Sequence, residues 1–321
     1  PTAGTSNVRF GVNAGNSIVS GGNYNVVVGD EAGTAITNGA ANVALGWEAL
    51  KTEDTGNFST AIGYRALLTQ NNDASNYNTA VGALAGQAIT TGIQNTLIGG
   101  LAGDALTDAD YNVAMGVSSL GADTLGSRAT ALGFGTLANQ NFTSPTDNYN
   151  TAVGFHAGNK VTTGIKNTIV GGLAGDAITT ASNNAAFGYG ALGANTTGTQ
   201  NTAVGANAGD ALTTGGDNIA IGYLALSSDT TGQRSVAIGR AALFAQNLSG
   251  GALSYNTAIG YNAGTAVTTG IKNTILGGLA GDAITTGNTN VALGYAALSA
   301  NTTASNNTAV GTSALAVNTT G

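Results

Sequence analysis

The sequence predicts an all-β fold, a β-solenoid (a β-roll or β-helix) of about 18 coils with a repeat of 17 residues. The first observation is a motif of Asn, any residue, a small residue, a large apolar residue and Gly, as in residues 201–205. The second is that its final glycine, called here the anchor glycine, recurs in most steps after 17 residues. The third is that the residue before it is large and apolar in all 18 repeats. The anchor glycines are Gly11, Gly29, Gly46, Gly63, Gly82, Gly99, Gly116, Gly133, Gly154, Gly171, Gly188, Gly205, Gly222, Gly239, Gly260, Gly277, Gly294 and Gly311.

Each repeat, called here a coil, is predicted to contain two short strands. In the coil anchored at Gly205 they lie around residues 202–204 and 211–213, and each is closed by Gly or Asn, which tolerate positive φ. A helical fold is disfavoured because every 17-residue helix would carry two to four glycines. Each of those glycines costs about 1 kcal/mol relative to Ala.

The interior is predicted from the positions that hold one residue type. We expect the large residue before each anchor glycine to face a buried seam, and the Ala found two before it in 13 coils to keep the interior narrow. Asn stands four residues before the anchor in 15 coils, as at Asn78, Asn150, Asn201 and Asn256. A stacked Asn can bond its amide to the backbone of the next coil, which predicts an asparagine ladder.

The chain is predicted to be a single repeat domain over residues 1–321. The residue four after the anchor is Gly in two coils and Leu in the next two, which marks four-coil modules at about 7–77, 78–149, 150–255 and 256–321. The third module holds two extra coils. Because neither end carries a capping sequence, we expect other fibre or virion proteins beyond both ends.

Composition excludes several classes of function. Charged residues make up 8% of the chain, the net charge is −7 and no basic run is present, so nucleic acid is not an expected partner. Cys is absent and His156 is the single histidine, so we expect no metal site, no cofactor and no enzymatic activity. No apolar run is long enough for membrane insertion.

The motif carries a resemblance to known families. Asn-Thr-Ala-Val-Gly occurs at residues 78–82, 150–154, 201–205 and 307–311, and Asn-Thr-Ala-Ile-Gly occurs at 256–260. These repeats resemble the glycine-rich repeats of phage tail-fibre proteins. They are also similar to the Asn-Ser-Val-Ala-Ile-Gly repeats of trimeric autotransporter adhesin heads, although the adhesin repeat is shorter. The resemblance implies a parallel homotrimer of β-rolls.

The expected function is therefore that of a structural shaft and receptor-binding part of a virion tail fibre. It would attach to a glycan or protein of the host surface, and its location would be the virion surface or the extracellular or cell surface. One alternative is a bacterial trimeric adhesin head or another extracellular structural fibre. A second is an ice-binding solenoid, because Thr-Thr-Gly or Thr-Thr-Ala recurs, for example at 196–198 and 213–215.

Receptor contacts are predicted on three inserts that lengthen the fourth coil of a module. The inserts cover residues 70–75, 139–147 and 246–253. Binding residues concentrate in loops on rigid scaffolds, and Asn, Asp and aromatic side chains can bond and stack on sugars. The alternative is that the inserts are tolerated scars of duplication. The candidate contacts are Asn71, Asn72, Asp73, Asn141, Phe142, Asp147, Tyr149, Asn247 and Tyr255.

Overall fold

A computed structural model describes residues 4–319 and confirms an all-β, parallel β-solenoid of 18 coils with a 17-residue repeat. It divides into two compact units, Pro1–Thr163 and Gly164–Gly321, with nine coils in each. No helix occurs among the described residues, so none of them forms a helix that could cross a membrane.

In both units a three-residue strand lies directly before each anchor glycine. The first unit contains β1 Val8–Phe10, β2 Val26–Val28, β3 Val43–Leu45, β4 Thr60–Ile62, β5 Thr79–Val81, β6 Thr96–Ile98, β7 Val113–Met115, β8 Gly126–Ser127, β9 Thr130–Leu132, β10 Thr146–Asp147 and β11 Thr151–Val153. The second unit contains β12 Thr168–Val170, β13 Ala185–Phe187, β14 Thr202–Val204, β15 Ile219–Ile221, β16 Val236–Ile238, β17 Thr257–Ile259, β18 Thr274–Leu276, β19 Val291–Leu293 and β20 Thr308–Val310.

Neighbouring coils of a unit pair their strands in parallel at equivalent positions, as in Val43 opposite Thr60 and Thr202 opposite Ile219. The predicted second strand is wrong. Residues 211–213 form no strand, and Leu212 has no regular secondary structure. The chain leaves the strand before the anchor in a turn, in which the residues two and four after the anchor adopt left-handed backbone conformations. In the next coil these are Leu224 and Leu226, with φ of 57° and 52°. An extended strand cannot continue through two such residues.

The anchor glycine is required by the close approach of stacked coils. Gly82 has a φ of +139°, and a Cβ added to it would lie 2.5 Å from the carbonyl oxygen of Gly99 in the next coil. Any other residue would clash with that backbone. The same contact repeats along the coils of each unit, as at Gly205 against Gly222.

The large residue before the anchor does not face a buried seam, so that prediction is wrong. Side chains alternate along a strand, and the interior receives the Ala two before the anchor, such as the fully buried Ala203. The neighbouring large residue, Val204, is 38% exposed. In most coils the interior takes Ala at that place, and it takes the fully buried Val27, Leu97, Ile169 and Ile275 in four coils. In all of them the residue directly before the anchor points to the other side of the strand.

The asparagine ladder is confirmed. Asn201 donates its backbone N–H to Oδ1 of Asn184 at 2.9 Å, and Nδ2 of Asn201 donates to the carbonyl of Gly215 at 2.8 Å. The same two bonds occur at Asn42 and at Asn95, where the accepting carbonyl is that of Ala109. These ladder amides are therefore satisfied by the coils around them.

In each coil, one of the places four and seven residues after the anchor carries a large apolar side chain, and the other does not. Where the residue four after the anchor is Gly, the residue seven after it is Ile, Leu or Val; where the former is Leu, the latter is Asn, Asp, Gln or Glu. Gly103 and Leu106 show the first arrangement, because a Cβ on Gly103 would lie 2.8 Å from Leu106 Cδ1. Large apolar side chains at both of these places would overfill this part of the coil.

Candidate functional site

The outward side of the sheet in each unit is an uncharged surface, called here the apolar face. It consists of the residues one and three before every anchor glycine, and none of these 36 positions is charged in the sequence. Leu45 and Leu293 are each 42% exposed, and Met115 is 44% exposed. Large continuous apolar surfaces are rare on proteins that remain monomeric. This face is therefore the leading candidate for contact with another molecule.

Rows of exposed aromatic side chains flank the apolar face. One row lies directly after the anchor glycine, where Trp47 and Tyr64 stack with ring centroids 5.1 Å apart. A second row lies five residues before the anchor, where Phe58 and Tyr77 stack at 5.1 Å. The first row contains Trp47, Tyr64, Phe134, Phe155, Tyr189, Tyr223, Tyr261 and Tyr295.

Arginine side chains lie over several of these rings. The guanidinium of Arg65 lies 4.7 Å from the ring centroid of Trp47 and pairs with Glu48 at 2.7 Å. A hydrogen bond from Lys51, followed by that from Arg65, lowers the pKa of Glu48. In the second unit, Arg240 lies over the ring of Tyr223 at 5.8 Å. Ring and carboxylate together hold a guanidinium on this protein's surface.

The three inserts are attached in the same way. The end of each forms a parallel bridge with the preceding coil: Asn57 with Ser75, β8 with β10, and Gln233 with Leu253. In the first unit, four strand steps separate β5 from β11, so the first two inserts lie about 19 Å apart along the sheet. They are therefore separate surface features of that unit.

A buried carboxylate anchors the first insert. Glu53 is fully buried and accepts hydrogen bonds from Gly56 N at 2.7 Å, Gln70 Nε2 at 2.8 Å and Asn76 Nδ2 at 2.9 Å. Oε1 of Gln70 in turn accepts from Nδ2 of Asn78, the first ladder residue after the insert. Burial raises the pKa of Glu53, although the hydrogen bonds from Gln70 and Gly56 lower it. The hydrogen bonds from Glu53 through Gln70 to Asn78 therefore continue the asparagine ladder past the coil in which Ser59 replaces Asn.

The second and third inserts repeat the arrangement with aspartate. Asp123 accepts from Gln140 Nε2 at 2.6 Å, and Gln140 Oε1 accepts from Asn150 Nδ2 at 2.8 Å. Asp229, Gln246 and Asn256 form the same series at 2.6 and 2.8 Å. Three independent repetitions of one buried network show that the inserts are built into the wall of the solenoid.

In the first insert, the predicted contact residues lie at the surface. Asn71 and Asp73 are exposed and Asn72 is half-buried. Nδ2 of Asn72 donates to the carbonyl of Thr91 at 2.7 Å, and Asp73 accepts from Thr55 Oγ1 at 2.5 Å. The structure thus brings these three residues together on one short loop.

In the second insert, Phe142 lies in the wall. It is 5% exposed and its ring covers Gly126, so it presents no free face to a sugar. Asn141 and Asp147 are exposed, and Asn141 accepts a bond from Thr124 at 3.1 Å.

The exposed tyrosine of this insert, Tyr149, belongs to an arginine cluster. Arg128 lies between the rings of Tyr111 and Tyr149, at 5.1 and 5.8 Å, and pairs with Asp147. One face of Tyr149 is therefore covered by this chain's own Arg128.

The third insert has the same character. Asn247 and Tyr255 are exposed, and Asn247 accepts a bond from Thr230 at 3.1 Å. Arg234 donates to the hydroxyl of Tyr255 at 2.7 Å and lies 5.7 Å from its ring. The buried Leu248 occupies the place that Phe142 holds in the second insert.

The sequence interpretation missed the residues that anchor the inserts. Glu53, Asp123 and Asp229 each lie seven residues after an anchor glycine and one coil before a Gln at the same place. The sequence contains a signal for these residues. A polar residue stands seven after the anchor in every coil that has Leu four after the anchor. An acid followed one coil later by Gln marks each insert.

His156 and the regular Asp positions form no metal centre. His156 stacks on Phe155 at 4.2 Å, and no group of three metal-ligating side chains occurs within residues 4–319. Burial raises the pKa of Asp104, Asp210 and Asp282, which occupy the same place in their coils.

The threonine row donates its hydroxyls within the chain. Oγ1 of Thr196 donates to the carbonyl of Thr213 at 3.1 Å, and Thr213 donates to Thr230 at 2.9 Å. These bonds join successive coils, which gives the row a structural role in the solenoid.

Comparison with protein-family models, with curated proteins and with solved structures finds no match for this chain.

Proposed function

We propose that this chain is a structural and attachment segment of a homotrimeric fibre, of the kind found in virion tail fibres. The observation that carries the proposal is the apolar face, which no coil interrupts with a charge. Copies packed in parallel would bury the row directly before the anchor, which is apolar in every coil, beside the row three before it, which contains Thr in ten coils. Association of identical copies is the commonest way for soluble proteins to cover such a surface.

The three inserts are the proposed points of attachment to a glycan or protein of the host surface. Their support is the combination of rigid anchoring by buried carboxylates and exposed polar ends, as at Asn71, Asn141 and Asn247. A binding loop on a rigid base loses less conformational freedom on contact. The proposed location is the virion or cell surface.

The attachment role is tested by shortening all three inserts to the regular repeat. Removing residues 72–73, 143–146 and 249–252 and replacing Asn71, Asn141 and Asn247 with Ala takes away the exposed ends, whereas Gln70, Gln140 and Gln246 stay in place beside their carboxylates. We expect an unchanged oligomeric mass and loss of binding to an array of bacterial surface polysaccharides and to whole bacterial cells. The conservative variant Thr213→Ser, away from the inserts, serves as the control. Attachment at full strength by the shortened protein would refute the assignment.

A further inference from the structure

A notch opens on the second unit where one coil lacks two side chains. In the coil anchored at Gly188, the residues two and five after the anchor are Gly190 and Gly193. A cavity of about 340 Å³ results, lined by Leu173, Asp176, Tyr189, Gly190, Gly193, Ala194, Asn207 and Asp210. Its size lies at the lower end of the range for small-molecule sites.

The notch is lined by side chains that can accept hydrogen bonds. Oδ1 of Asp176 lies 3.8 Å from the place a Cβ of Gly193 would take, and Oδ1 of Asn207 lies 2.5 Å from that of Gly190. Asp210 also lines the notch. The two aspartates lie two coils apart, about 10 Å. Neither forms an ion pair with a described residue.

The notch also offers an aromatic ring with no cation over it. Tyr189 is 61% exposed and belongs to the same row as Trp47 and Tyr223. Those two rings carry Arg65 and Arg240 from this chain, whereas no described Arg lies over Tyr189. The place two after the anchor, where Arg65 stands in its coil, is empty at Gly190.

We propose that the notch binds an arginine side chain of a partner protein. Guanidinium carries five N–H donors and no acceptor, which matches a lining of carboxylate and amide oxygens. Its planar cation stacks on Tyr189 as Arg65 stacks on Trp47. Its positive charge is attracted by Asp176 and Asp210, which have no ion-pair partner in this chain. A lysine ammonium would lack the flat surface and the paired donors.

The test measures binding of the capped peptide Ac-Gly-Arg-Gly-NH2 to the full chain by NMR. We expect the matched citrulline peptide, which has the same shape without the charge, to bind at least about tenfold more weakly. Binding should also weaken as salt increases. Equal binding of the two peptides, or binding of methyl glycosides with no binding of the arginine peptide, would overturn the proposal.

Matched variants locate the site. Gly193→Gln fills the notch with a side chain that Gln87 carries at the same place, and Tyr189→Ala removes the ring. Both should abolish peptide binding. Ser227→Gln and Tyr223→Ala, at equivalent places outside the notch, should leave it unchanged. Binding that survives Gly193→Gln would contradict the assignment.

The oligomeric mass separates this proposal from the proposed function. Asp176→Asn should weaken peptide binding and leave the mass unchanged. A change of mass in that variant would show that another copy of this chain fills the notch, and would overturn the assignment to a separate partner. Shortening the inserts leaves the notch intact, so failure of host attachment does not affect this result.

Discussion

At the scale of single residues, the fold depends on which side of the strand each position faces. Val204 and Ala203 are neighbours, yet the first is 38% exposed and the second is fully buried. The sequence interpretation assigned the larger residue to the interior because burial usually increases with apolar size. The narrow coil reverses that order. The repeat pattern shows that side chains alternate between the two sides of the strand. The width of the interior decides which of the two sets points inward.

Two adjacent substitutions test this assignment. Ala220→Asp places a charge in the interior, where Ala220 is 1% exposed, and should lower the free energy of unfolding by about 3 kcal/mol or more. Ile221→Asp places the same charge on the apolar face and should mainly reduce self-association. Chemical denaturation and sedimentation measure the two effects. A greater loss of stability in Ile221→Asp than in Ala220→Asp would show that the large residue faces the interior.

The buried acids predict how stability depends on pH. Burial raises the pKa of Glu53, Asp104, Asp210 and Asp282 above their values in the unfolded chain. The folded protein therefore binds more protons in the window above those ordinary values, and its stability falls as pH rises through the raised pKa values. We expect the melting temperature to be higher near pH 5 than near pH 7.

The control for this pH dependence is a triple variant with Ser at positions 104, 210 and 282, the residue that Ser227 and Ser299 already provide there. Its melting temperature should vary less over the same range. If the melting temperature of the variant changed with pH as much as that of the parent, these aspartates would not be the cause of the pH dependence.

At the scale of the coil, each repeat carries one large apolar side chain at the places four and seven after the anchor. The alternation of Gly and Leu marks the four-coil modules in the sequence, and the residue three places later changes with it. The connection is steric. Gly103 leaves space for Leu106, whereas Leu120 fills that space and requires the smaller Asp123. The polar residue then needs hydrogen-bond donors, which the inserts supply.

A double-mutant cycle tests this exchange in a coil without an insert. Asn195 is fully buried, and its side-chain amide has no hydrogen-bond partner. Asn195→Ile alone should overfill the coil, and Leu192→Gly alone should leave a cavity. The double variant recreates the Gly and Ile arrangement of Gly175 and Ile178 and should be at least as stable as the parent. Thermal unfolding should give a coupling free energy of about 1–3 kcal/mol.

Additivity in this cycle would contradict the exchange. The double variant would then be less stable than either single variant. Leu192 has a φ of 52°, so its replacement by Gly also relieves backbone strain. This contribution cancels in the coupling free energy, because the same replacement is present in the single and the double variant.

At the scale of the whole molecule, the repeat period and the asparagine ladder were sufficient to predict an all-β solenoid. The apolar face was not predicted, because its position depends on the direction of the alternation. The role of Phe142 was also missed, since nothing in the loop composition shows that its ring lies over Gly126. The exposed ends of the inserts were predicted from their departure from the repeat, which places them outside the stacked wall.

The central claim is that copies of this chain cover the apolar face, and sedimentation equilibrium of the full chain at micromolar concentration tests it most directly. The proposal predicts a particle with three times the chain mass of 31.1 kDa. Ile221→Asp, which charges the face, should lower that mass, whereas Thr213→Ser should not. A stable particle of 31.1 kDa that unfolds cooperatively would contradict the claim.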